Sequence, residues 1–62
     1  MKEAGTISFQ DVSDSDEAVV TVRYGVTSVT SCVSEESDGD MEVALDKLTA
    51  KLFLELLRKA VA

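Results

Sequence analysis

MEVALDKLTAKLFLELLRKAVA, residues 41–62, decides how the rest of the chain must be arranged. Good helix formers fill it, and neither Gly nor Pro interrupts it. Asp38 and Asp40 precede it and Glu42 stands in the first turn expected for it, where carboxylates accept orphan backbone N–H groups and oppose the helix dipole. Ser37 with Asp40 makes a weak capping-box variant, and Arg58 and Lys59 suit the negative end of the dipole. The reading is one helix over about residues 40–61, roughly 33 Å long at ~1.5 Å per residue.

At about 100° per residue the apolar side chains of this helix sort into two stripes. Met41, Leu45, Leu48, Leu52 and Leu56, with Ala44 at the edge, make the face expected against the protein's own sheet. Ala50, Phe53, Leu54, Leu57 and Val61 make a second stripe on nearly the opposite side. One small sheet cannot cover both, so the second stripe is expected to be an oligomer interface with the same helix of another copy. A wider core face or a different protein partner is the alternative. A membrane is not expected, because Lys51, Glu55, Arg58 and Lys59 break a run far short of about 18 apolar residues.

Length leads to the same expectation. Sixty-two residues make a single domain, and a monomer this size buries only about 60% of its unfolded surface. The single cysteine, Cys32, forms no disulfide framework, and without His or a second Cys no structural zinc site is spelled out. Self-association is the remaining route to stability. MKEAGTISF has no long apolar run of the secretory type, and a lone thiol suits a reducing compartment, so a cytoplasmic location is expected.

The formal net charge is −6, which argues against direct binding of a nucleic-acid backbone. Residues 1–46 carry eleven acidic and two basic side chains, whereas residues 47–62 carry four basic and one acidic. The chain is therefore electrically polarised, which suits ordered self-association or a basic partner.

Working back from the helix, three stretches read as strands. Ile7 and Phe9 alternate with polar residues in a strand over about 6–12, and SDSDE, residues 13–17, is a hydrophilic turn. AVVTVRYG, residues 18–25, places Val20, Val22 and Tyr24 on one face and Val19, Thr21 and Arg23 on the other. Residues 26–34 alternate again, and Gly25 supplies the break between the two as a hairpin turn or a bulge. The fold expected is α+β: a three-stranded antiparallel meander, then the long C-terminal helix (βββα), assembled as a homo-oligomer.

No catalytic, metal or cofactor motif is expected. Asp38-Gly39-Asp40 resembles part of a calcium loop, but the twelfth position, which must be a bidentate Glu, is Thr49. Cys32 has no His to act as its base. One group suits a ligand: Arg23, Tyr24, Ser28 and Thr30 offer a guanidinium, an aromatic ring and hydroxyls for a small anionic or nucleotide-like molecule at a subunit junction. Pairing of Arg23 with Glu17 or Glu35 is the plainer expectation for the same residue.

The function expected is that of a small acidic, non-enzymatic interaction protein. It would be a homo-oligomeric inhibitor or adaptor that binds another protein, by analogy with the accessory proteins of phages. The alternatives are an oligomeric sponge that sequesters a small anionic ligand, and an acidic mimic of nucleic acid.

Overall fold

The computed structural model describes residues 1–62. Four strands precede one helix: β1 (Lys2–Gln10), β2 (Glu17–Tyr24), β3 (Ser28–Glu35), β4 (Gly39–Asp46) and α1 (Lys47–Val61). The strands form one antiparallel sheet in the order β1-β2-β3-β4, so each pairs with its neighbour in sequence.

The α+β character agrees with the sequence reading, but the three-stranded meander and the helix over 40–61 are both overturned. Residues 39–46 form a fourth strand, paired with β3 from Glu35↔Gly39 to Ser28↔Asp46. GDMEVALD satisfies two periodicities at once. Met41 and Leu45 continue the helical spacing of Leu48 and Leu52, while Met41, Val43 and Leu45 alternate with Asp40, Glu42 and Asp46 as a half-buried strand requires. Pairing with β3 selects the second. Gly39 turns the chain into it at φ 79°, a left-handed conformation open to glycine at no steric cost.

The helix therefore begins at Lys47, and its N-cap is Asp46, in extended conformation. The Thr49 N–H donates to the Asp46 carboxylate at 2.7 Å. Asp38, Asp40 and Glu42, expected to serve the helix start, lie instead in the β3–β4 turn and on the strand. Strand and helix meet with no intervening residue.

β1 runs earlier than expected, over Lys2–Gln10, with a register shift between Glu3 and Gly5. The β1–β2 loop is tied by Asp11, whose carboxylate accepts the Ser13 N–H at 2.8 Å, and Asp14, which accepts that of Asp16 at 3.0 Å. Gly25 serves a hairpin turn rather than a bulge: its N–H donates to the Ser28 carbonyl at 2.9 Å, directly after the last β2–β3 pair, Tyr24↔Val29.

Alternation gives the sheet one apolar and one mainly polar face. Ile7, Val20, Val33 and Met41 are cross-strand partners in sequence, and Phe9, Ala18, Val22, Tyr24, Val29, Val43 and Leu45 share their side. The polar side carries Thr6 and Thr21, whose hydroxyls lie 3.2 Å apart, with Arg23, Thr30, Cys32 and Glu42. Cys32 is half-buried, as expected for a small residue of a strand.

The apolar face is almost uncovered. The backbone of helix α1 approaches β3 and β4 and not β1 or β2; only the Lys47 side chain extends to β2, at Tyr24. Only Ala18 and Thr30 are buried in the whole chain, and no helix residue is. The stripe expected to lie on the sheet is open instead, with Leu48, Leu52 and Leu56 at 69%, 59% and 63% exposure. The side turned toward the sheet carries Thr49 and Phe53, the second of these from the stripe expected at the oligomer interface.

Candidate functional site

Two features stand out once the elements are in place. The first is an open apolar cleft of about 370 Å³ where α1 leans over the sheet. Its floor is Val33, Met41, Val43 and Leu45 from β3 and β4, and its wall is Thr49 and Phe53 from the first two turns of the helix. The floor follows from the alternation of β4, and the wall from the cap at Asp46, which fixes where the helix departs. Among polar groups only the Ser31 and Thr49 hydroxyls line it, so the cleft accepts apolar side chains and offers little to orient a polar ligand.

The second feature is a group of carboxylates. Because the sheet is a meander, the β1–β2 and β3–β4 loops lie at the same end, and they bring Asp14, Asp16, Glu35 and Asp38 within 4.8 Å of one another. Ser37 donates its hydroxyl to Asp16, tying one loop to the other. Carboxylates crowded at this range cannot all ionise freely. Glu35 hydrogen-bonds Asp11 and Asp38, and these contacts, with partial desolvation and the charges of Asp11 and Asp14, push its carboxyl up to about 8. The same hydrogen bond holds Asp11 below the ordinary carboxylate range, helped by the Ser13 N–H. Glu35 is the member that keeps the proton.

A pH effect follows. Glu35 binds its proton more tightly folded than unfolded, so its contribution to stability is full below about pH 4.5 and is lost as pH rises toward 8. Solvent screens the group, so the change is modest. Thermal melting should show a decline in Tm from pH 5 to 8 that Glu35→Gln removes, because Gln holds the neutral form at every pH. Equal slopes in wild type and variant would refute it.

Carboxylates are the ligand type of hard divalent cations, and these four are the residues of the chain spaced to hold one. Asp14 and Asp38 are exposed and Asp16 and Glu35 half-buried. The Asp38-Gly39-Asp40 sequence does not act as a unit: Asp38 joins the group, Gly39 makes the turn, and Asp40 lies on β4 opposite Ser34.

The residues singled out for a small anionic ligand do not converge. Arg23, Ser28 and Thr30 share the polar face, where Arg23 is the cross-strand partner of Thr30. Tyr24 points to the apolar side, and Lys47 Nζ lies 5.5 Å from its ring centre. Thr30 is buried, its hydroxyl donating to the Met1 sulfur at 3.9 Å. Arg23 makes no ion pair with Glu17 or Glu35; the chain's one ion pair joins Arg58 to Glu55 at 3.8 Å.

Of the expected interface residues, Phe53 lines the cleft and Ala50 is half-buried. Leu54 and Leu57 are a little under half exposed, and Val61 stands open near the end of the helix. No helix is long and apolar enough to cross a membrane. No protein-family model, no curated protein and no solved structure matches the chain.

Proposed function

We propose that this chain is a small acidic interaction protein of the cytoplasm, working as a homo-oligomer that binds another protein as an inhibitor or adaptor. The observation that carries the reading is the area left bare. One copy exposes 4998 Å². A compact monomer of its 6.7 kDa mass should expose only about 3,900 Å². The excess is about 1,100 Å² per copy, whereas a standard interface buries about 800 Å² per partner. Large apolar side chains of the sheet face and the helix, Ile7, Met41, Leu48, Leu52 and Leu56 among them, stand in the surface left open.

The choice of a second partner rests on charge. Eight of the twelve acidic side chains — Asp11, Asp14, Asp16, Glu17, Glu35, Glu36, Asp38 and Asp40 — belong to the loop end of the sheet, where there is no basic residue. A surface of one sign steers and selects a partner of the other, so the protein bound is one with a basic surface.

Sedimentation equilibrium at micromolar concentration tests the reading. The mass expected is a multiple of 6.7 kDa. A folded species of the single-chain mass across the accessible concentration range would overturn it.

A further inference from the structure

Self-association does not by itself say which surfaces meet. We propose, resting on the homo-oligomer inferred above, that helix α1 of one copy lies on the uncovered β1–β2 half of the other copy's apolar sheet face. The contact is reciprocal about a two-fold axis.

The first argument is that each surface is bare for want of the other. Ile7, Phe9 and Val20 lie on the half of the sheet that the backbone of the chain's own helix does not approach, Ile7 and Phe9 exposed at 65% and 42% and Val20 half-buried beside them. Leu48, Leu52 and Leu56, spaced by four along one side of the helix, are the leucines it leaves most open. A row at this spacing is the usual sheet-covering face of a helix. Its own sheet does not receive it, so the sheet it covers belongs to another copy.

The second argument is size. A 15-residue helix is about 22 Å long and, with its side chains, about 10–12 Å wide. β1 and β2 are nine and eight residues long, a strip about 26–30 Å by 10 Å. One helix therefore fits one strand pair. The chain carries one bare helix row and one bare strand pair, so two copies satisfy each other and the contact closes. Both contacts together remove about 2,200 Å² if each copy buries its excess, which lies in the range of obligate homodimers.

Isoleucine occurs once in this chain, at Ile7, and five of the six leucines are in the helix. A mixed sample, with one population labelled at the isoleucine methyl and the other at leucine methyls, isolates contacts between copies by isotope-filtered NOE spectroscopy. NOEs from Ile7 to Leu52 and Leu56 are expected. In parallel, Ile7→Lys should raise the dissociation constant at least a hundredfold. Ser8→Lys, on the opposite face, should leave it within threefold. Should Ile7→Lys fail to fold, the NOE experiment on wild-type sequence still decides. An oligomer without Ile7–helix NOEs would overturn this interface and leave self-association standing. A folded monomer would overturn both, and the bare faces would then belong to a different protein.

Discussion

Dilution alone is expected to unfold this protein. A single copy buries two residues, Ala18 and Thr30, and neither is a large apolar side chain. Hydrophobic burial is the main term that offsets conformational entropy, and a copy with no core lacks it. The helix adds little by itself, since isolated helices of about 15 residues are marginal in water. Dissociation and unfolding should therefore be one event, and Tm must depend on concentration. With an unfolding enthalpy of ~0.7 kcal/mol per residue over two chains, each tenfold dilution should lower Tm by about 6 °C. Circular dichroism melts at 2, 20 and 200 µM check this, and mass measured at the same dilutions should fall together with helical signal. A Tm constant over that hundredfold range would mean that a single copy is stable alone. The dependence on association would then be wrong, whatever the oligomer observed at high concentration.

Much of this fold is legible in the sequence, and the part that is not fails for a definable reason. β2 was expected over 18–25 and runs over Glu17–Tyr24, because a β-branched run has one sensible conformation here. The β3 stretch, expected over 26–34, runs over Ser28–Glu35. Residues 40–46 read as the start of the helix because Met41 and Leu45 fall in phase with Leu48 and Leu52. Local periodicity cannot arbitrate between two patterns that both fit; the available edge of β3 does. Asp40 and Glu42 added to the ambiguity, since acidic residues suit both the first turn of a helix and the exposed side of an edge strand.

The ligand group shows the opposite case. That Arg23 and Tyr24 face opposite ways follows from strand alternation alone, so their adjacency in sequence separates them in space. The carboxylate group joining Asp11, Asp14, Asp16, Glu35 and Asp38 is not legible, because it depends on two loops meeting at one end of a sheet with four strands where the sequence reads as three. The bare helix row is illegible for a related reason. A leucine row shows that something apolar covers it, while whether that cover is in the same chain depends on where the helix leaves the strand.

That departure point is the second place where a small change should have a large effect. Asp46 ends β4 and caps α1, with no loop between them to absorb an error. Its carboxylate accepts the Thr49 N–H, and this hydrogen bond holds Asp46 below the ordinary carboxylate range. Asp46→Ala removes the acceptor, frays the first turn, and so frees Thr49 and Phe53, which form the cleft wall. A fall in Tm of roughly 4–8 °C is expected, the usual scale for losing one cap in a domain this small. Asp46→Asn should recover most of it, because Asn caps about as well as Asp without the charge. The pH dependence separates the two further. The folded-state pKa of Asp46 is depressed, so its contribution is present above about pH 3.8 and is lost as pH falls through the folded value. The difference in Tm between wild type and Asp46→Ala should therefore shrink below that pH, while the difference between Asp46→Asn and Asp46→Ala should hold. If Asp46→Ala melted with the wild type at neutral pH, the start of the helix would be set by contacts between copies rather than by its cap. In that case the helix would fold only on the partner's sheet, and its helical signal would vanish on dilution before the strands were lost.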